Sequence, residues 1–211
     1  MAAGASTANS SGKSAEVGFR YENPQLQPGK YSFVIREDGS GSYHSEPSAT
    51  PPADKASYHP LPQAEDRSVQ FSKTLVNQIF STAREQKFFS VACDDKRDKI
   101  AFQGTKVLSY QGPDGEGSCT YNWSKIASIE KLTSLFEGIA FTLEEGRRLE
   151  IEQKHDRLAV DAELGDLIEA AKAGRALEIH NIEPTLQAIA DDEAMMERAR
   201  SRARKLLQGA S

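Results

Sequence analysis

The sequence contains few of the residues from which reactive or metal-binding centres are usually built. It has two cysteines and four histidines in 211 residues, and no CxxC pair occurs. The histidines are dispersed, so none pairs with another at the i,i+3 or i,i+4 spacing of a helical metal site. The sequence therefore predicts no metal site, and we expect no cofactor.

Long apolar runs and an excess of positive charge are also missing. No window approaches the ~18–20 consecutive apolar residues that cross a bilayer, and the N-terminal stretch lacks the apolar segment of a secretory signal. The formal net charge of -5 argues against binding to a phosphate backbone, which depends on clustered Lys and Arg. We expect neither a nucleic-acid partner nor membrane insertion, which leaves an unknown ligand or protein as the partner. The oligomeric state stays open.

What is present fits one packed domain with a polar end. The chain is 38% hydrophobic and 27% charged, enough for an interior and a water-compatible surface. Residues 1–27, which are small and polar, are predicted to form a disordered tail. Residues 28–211 are predicted to form a single α+β domain, mainly β with one helix over 28–123 and mainly helical over 124–208. The expected architecture is a small antiparallel sheet built from hairpins, packed by one central helix and a C-terminal helical region.

Hydrophobic periodicity places the elements. Tyr31, Phe33 and Ile35 alternate with polar residues as in a half-buried strand, and the glycines after Asp38 predict a hairpin. A proline-rich stretch over 46–68 lacks too many amide donors for a sheet or helix and predicts a long loop. A helix is predicted from Ser72, its N-cap, through Lys87. Further strands are predicted at 88–93, 100–103, 107–111 and 118–121, and helices from 124, over 157–173 and up to 208.

The two cysteines lie at the end of one predicted strand and inside another. That placement favours a disulfide between Cys93 and Cys119, with two buried reduced thiols as the alternative. A third alternative is a hydrolase-type enzyme that uses Cys119 as nucleophile, with His155 or His180 as base. No known hydrolase signature accompanies Cys119, so the sequence leans against catalysis without deciding it.

Aromatic residues border the glycine-rich turn between the last two predicted strands. Amphipathic aromatics beside a flexible turn are typical of recognition surfaces, although they also serve in cores. The candidate binding surface consists of Tyr110, Gly112, Asp114, Gly115, Gly117, Tyr121 and Trp123.

Two features of the helical half have simpler explanations. Four glutamates of the first long helix are interpreted as a solvated face with i,i+4 partners such as Arg148 and Lys154; they are Glu144, Glu145, Glu150 and Glu152. An apolar stripe in the last helix leaves self-association as another alternative function. It consists of Met195, Met196, Ala199, Ala203, Leu206 and Leu207.

Several segments carry a resemblance to a known group. The runs 31–43, 102–112, 117–121 and 142–148 resemble uncharacterised bacterial exported proteins, and the resemblance spans residues 29 to 208. It implies a periplasmic or secreted location and supplies no catalytic residues. Together with the expected disulfide, it leads us to expect a non-catalytic extracytoplasmic binding or accessory domain.

Overall fold

A computed structural model describes residues 14–48, 63–94 and 101–209. These residues form a six-stranded antiparallel sheet and five α-helices, so the predicted α+β class is confirmed. The strands are β1 Glu16–Glu22, β2 Lys30–Arg36, β3 Ser40–Glu46, β4 Glu65–Gln70, β5 Thr105–Gly112 and β6 Gly115–Tyr121. The helices are α1 Lys73–Glu85, α2 Ala127–His155, α3 Ala159–Lys172, α4 Glu183–Asp191 and α5 Glu197–Gly209.

The sheet has the strand order β4-β3-β2-β1-β5-β6. Its first strand is central, because β1 pairs with β2 on one side and with β5 on the other. This corrects the predicted tail over 1–27: Val17, Phe19 and Tyr21 are buried at alternate positions. Alternating burial is what a strand with one covered face requires. Residues 1–13 of the predicted tail lie outside the described residues.

The edge strand β4 also shortens a predicted loop. Its residues 65–68 fall inside the stretch 46–68 that the prolines assigned to a loop, while 49–62 lie outside the described residues. The strand reads EDRSVQ. Charged residues are frequent on edge strands, where they discourage pairing with another chain, and they leave little hydrophobic alternation from which to predict a strand.

The described residues between α1 and β5 do not form a hairpin. Residues 87–89 form a short 3-10 turn, and 90–94 and 101–104 are irregular, so the strands predicted at 88–93 and 100–103 are wrong over the described residues. The strands predicted at 107–111 and 118–121 are confirmed as β5 and β6. The helix predicted from Ser72 is α1, and Ser72 caps it by accepting a hydrogen bond from the Leu75 amide.

One face of the sheet packs against the helices. Phe136 of α2 stacks on Phe19 of β1, with ring centroids 4.5 Å apart, and contacts Phe33 of β2 at 5.6 Å. The helix predicted from 124 is α2, which has 29 residues and packs its second half against α3 and α4. The predicted second helix is α3, and Gly174 after it has the left-handed φ of +68° typical of a helix end. α4 was not predicted.

Candidate functional site

The two cysteines form the predicted disulfide. Cys93 and Cys119 are bonded, with their Cα atoms 5.9 Å apart. Cys119 lies on the helix-facing side of β6, whereas Cys93 lies in the irregular segment after α1. The bridge therefore ties that segment to β6 instead of joining two strands. Because its sulfur is held in the bond, Cys119 offers no thiolate for the alternative nucleophilic chemistry.

The bridged segment starts with an unusual left-handed turn. Lys87, Phe88 and Phe89 have φ values of 52°, 58° and 65°, a region that costs a residue with a side chain roughly 1–2 kcal/mol. The turn lies close against β6, since an added Cβ at Gly115 would meet the Phe88 ring at 2.2 Å, and one at Gly117 would meet Ser90 Oγ at 2.2 Å. Gly117 is therefore required for this close packing, because an added Cβ would also meet the Phe88 carbonyl oxygen at 2.5 Å, and Gly115 leaves space for the Phe88 ring.

A polar cluster holds the β5–β6 turn. The Arg84 guanidinium of α1 donates to Asp114 Oδ2 at 2.7 Å, to Glu37 Oε1 and, at 3.2 Å, to the Tyr110 hydroxyl. Tyr110 also donates to Asp114 Oδ1, and its ring stacks on Phe88 with centroids 4.9 Å apart. Burial, reinforced by Asp114, raises the pKa of Tyr110 to about 12, while the Arg84 hydrogen bond lowers the pKa of Asp114. The turn is thus tied to α1 and to the β2–β3 turn.

The aromatic residues of the predicted binding surface are mostly core residues. Tyr110 and Tyr121 are each 2% exposed, which corrects their assignment as exposed recognition groups. The Tyr121 hydroxyl lies 2.6 Å from Thr133 Oγ1 and joins β6 to α2. Trp123 is half-buried. Tyr110 in β5 and Tyr121 in β6 lie at the alternate positions whose side chains point to the covered face of the sheet.

Beside Tyr121 lies a buried lysine that sequence reasoning missed. Lys106 is 3% exposed, its ammonium donates to the Asn122 carbonyl at 3.0 Å, and it lies 5.5 Å from the centre of the Tyr21 ring. Desolvation lowers its pKa. The hydrogen bond and the aromatic face compensate its burial, so Lys106 joins β5 to the segment that follows β6.

The opposite face of the sheet is where a surface is open. Its side chains are exposed or half-buried, among them Ser42, Ser68 and Ser118. Pairing registers place small side chains opposite one another on every neighbouring pair of strands, so they form one row that crosses the whole sheet. We call this row the trough. It consists of Ser68, Ser42, Val34, Gly18, Ser109 and Ser118.

The trough deepens over β1, β5 and β6. Gly18 leaves space there for the Ser109 hydroxyl, since an added Cβ would meet Ser109 Oγ at 2.5 Å. A cleft of about 550 Å³ occupies this part, and a second of about 400 Å³ adjoins it. Gly117 lines the first and Gly112 the second, so part of the predicted surface does border the open face.

The charge beside these clefts is mainly acidic. Both clefts are lined by Glu16 and Glu116, and Glu16 is paired with Arg36 at 2.9 Å. Within the described part of the chain, the exposed Glu116 carboxylate has no partner. Further along the same face, His44 lies between Asp66 at 2.8 Å and Glu46 at 3.3 Å, and these hydrogen bonds raise its pKa. The β6 end of the trough, where Glu116 lies, can therefore accept hydrogen bonds and a positive charge.

The trough could not be found from the sequence alone. Its members are isolated serines, a valine and a glycine in six separate strands, and only the register aligns them. β1 and β4, which contribute Gly18 and Ser68, were not predicted as strands. The signal that was available is the polar alternation of β1 and β3, whose solvent-facing positions include Gly18 and Ser42.

The apolar stripe of the last helix is largely used inside the chain. Met195, Ala199, Ala203 and Leu206 are buried, the last three on α5, which packs on α3 and α4, while Met196 is 38% exposed. Asp161 of α3 accepts from two arginines of α5, Arg198 at 2.5 Å and Arg202 at 2.9 Å. Burial of this stripe removes the main reason for proposing helical self-association.

Among the described residues, no group of three or more His, Cys, Asp or Glu side chains is arranged to hold a metal ion. The helices described are not long and apolar enough to cross a membrane. Comparison with protein-family models and with curated proteins gives no match for this chain.

Proposed function

We propose that this protein is a non-catalytic binding domain that works outside the cytoplasm, as a periplasmic or secreted module. The observation that carries the binding proposal is the trough, which crosses all six strands of an open sheet face. The disulfide supports the location, because such bonds persist in oxidising compartments and are rare in the cytosol. The bond also supports the non-catalytic assignment, since it occupies the sulfur of Cys119.

The occupant that best fits the trough is an extended, basic segment of a partner polypeptide. The small side chains of the trough leave room for a chain that crosses the strands, and the serine hydroxyls can both donate and accept hydrogen bonds. Charge complementarity favours a basic segment, because Glu116 lines both clefts and its carboxylate has no partner among the described residues, whereas Arg36, which lines the second cleft, is paired with Glu16. The net charge of -5 acts in the same direction over longer distances.

A random peptide library tests this assignment directly. Peptides selected on the wild-type protein are expected to be rich in Lys and Arg. Their affinity for the Ser109→Tyr variant, whose larger side chain fills the trough, should be at least tenfold lower. Ser81→Tyr, an exposed serine on α1, is the matched control and should bind like wild type. Glu116→Lys should weaken the same peptides. Failure to enrich basic peptides, or equal binding to Ser109→Tyr, would reject the trough as the binding site.

The location is tested separately by trapping the thiols of cells that produce the protein naturally, quenched in acid so that thiol exchange stops. Alkylation of the denatured extract with a maleimide-polyethylene glycol reagent should leave the protein unlabelled until a reductant is added, because both cysteines are bonded. Immediate labelling of both cysteines would contradict an oxidising compartment.

A further inference from the structure

The junction of α2 and α3 contains carboxyl groups that are buried instead of solvated. Glu145 and Glu152 lie seven residues apart on one face of α2, and each is only 5% exposed. This corrects the interpretation of these glutamates as a solvated helix face. The other two glutamates of that set have partners different from those predicted, since Glu144 pairs with Arg147 at 2.9 Å and Glu150 accepts from Thr185 at 2.7 Å.

One arginine at this junction is shared by two carboxyl groups, so the positive charge does not balance the negative charge. Arg148 lies 3.3 Å from Glu145 and 2.9 Å from Glu163 of α3. The Glu145 and Glu163 carboxyls are themselves close enough to share a hydrogen bond. Two carboxylates in such contact repel each other, and one shared proton removes the repulsion. Arg148 is 52% exposed, so water screens part of its attraction.

The surroundings of Glu152 favour the protonated form of its carboxyl group. Its Oε2 atom is fully enclosed and has no hydrogen-bond partner among the described residues. An ionised oxygen in that position would lose its hydration without compensation, whereas a protonated carboxyl avoids most of this cost. The orphaned oxygen is thus an observation independent of the acidic composition of the cluster.

The other charged groups around the junction do not neutralise it. Asp156, which follows α2, and Asp166 of α3 act on Glu152 and Glu145 respectively and add negative charge. Arg198 and Arg202 of α5 are engaged with Asp161. Arg157 lies 4.0 Å from Asp192 at the end of α4. Burial, with these carboxylates, raises the pKa of both Glu145 and Glu152 to about 7.

We propose that Glu145, Glu152 and Glu163 form a proton-binding site that holds α3 against α2 when it is occupied and releases α3 when it is empty. The ligand is the proton itself, and the released state places the carboxylates in water. The helix pair should be tight below neutrality and looser above it. This regulation does not depend on what the trough binds.

Hydrogen exchange measured at pH 6 and pH 8, corrected for the intrinsic effect of pH, tests the release. One carboxyl whose pKa is about 7 in the closed pair and near 4.5 when released increases the opening of α3 about tenfold between these pH values. Amides of α1, which is remote from the junction, provide the internal reference. The variant with both Glu145→Gln and Glu152→Gln should lose most of this pH dependence, and Glu193→Gln, an exposed control, should retain it.

Carbon NMR of the protein with glutamate labelled at the side-chain carboxyl provides the second measurement. It reports the pKa of each carboxyl, which a change in stability alone would not alter. Resonances that titrate near pH 7 should be present in wild type, and the one belonging to each substituted residue should be missing in Glu145→Gln or Glu152→Gln. Titration of all glutamates below about pH 5, or opening of α3 that is equal at both pH values, would overturn the proposal.

Discussion

Removal of the Cys93–Cys119 bond should lower stability by an amount that the structure allows us to estimate. The two cysteines are 26 residues apart in sequence. In the chain-entropy model, opening a loop of that length returns about 12 cal/mol/K to the unfolded chain, which corresponds to about 3.5 kcal/mol at 25 °C. For a domain of this size about 2–4 °C of melting temperature accompany each kcal/mol. We therefore expect a decrease of about 7–14 °C.

Two perturbations separate the cross-link from the packing of the sulfur atoms. Cys93 and Cys119 are 2% and 8% exposed, so replacing both with alanine removes the bond and also leaves small cavities. Reduction of the wild-type protein removes only the bond and keeps both sulfur atoms in place. The alanine variant should consequently melt at or below the temperature of the reduced wild type.

Scanning calorimetry with and without dithiothreitol is the appropriate assay, with a thiol titration of the unfolded sample to prove that reduction was complete. The alanine variant is its own control, because a reductant should not change its melting temperature. A decrease below about 2 °C for fully reduced wild type would refute the estimate. It would mean that the loop between Cys93 and Cys119 is nearly as restricted in the unfolded chain without the bond.

Three further substitutions test other parts of the structure. Lys87→Gly should raise the free energy of unfolding by about 0.5–1 kcal/mol in urea titrations, since glycine tolerates the left-handed backbone; the same change at Lys131, inside α2, should instead cost about 1 kcal/mol. Gly117→Val should lower stability by about 1–3 kcal/mol, because its side chain would overlap Ser90, and equal melting of this variant and wild type would contradict the close packing. Burial raises the pKa of Glu152 to about 7 in the folded state, so its contribution is retained at low pH and lost as the pH rises through 7. Glu152→Gln should therefore stabilise by up to about 3 kcal/mol at pH 8 and hardly at all at pH 4.5, and a gain independent of pH would argue against a buried titrating carboxyl.

The parts of the fold that followed from the sequence are those with strong apolar periodicity. Tyr31, Phe33 and Ile35 alternate as the β2 strand requires, and the stripe of α1 has helical spacing. β1 was missed although Val17, Phe19 and Tyr21 also alternate with other residues. The small, polar residues before them led to the prediction of one disordered tail that included these three residues. β4 was missed for a different reason, since its edge position favours charged side chains over apolar ones.

Local sequence patterns did not reveal the trough or the buried carboxyl groups, because both depend on contacts between elements that are distant in sequence. The Cys93–Cys119 bond was predicted correctly, although the strand assigned to the residues before Cys93 was wrong. The trough needs the register of six strands, so serines such as Ser42 and Ser109 carry no signal on their own. Glu145 and Arg148 have the spacing of an ordinary surface ion pair. Only the packing of α3 shows that the carboxyl is buried and that the arginine is shared with Glu163.

The two proposed sites belong to different halves of α2. The first half packs on the sheet through Phe136, which stacks on Phe19 of β1, whereas the second half carries Glu145 and Glu152 against α3. The second half also contacts the sheet, since Glu144 accepts from Tyr43 of β3 at 2.8 Å and Glu150 accepts from Arg67 of β4 at 3.3 Å. Release of α3 would leave these contacts in place, together with the aromatic contacts that support β1 and the trough. Ligand binding in the trough should then be nearly independent of pH between 6 and 8, while hydrogen exchange in α3 is not. A binding affinity that followed the exchange of α3 would instead show that α2 transmits the release of α3 to the sheet, because the same helix contacts both.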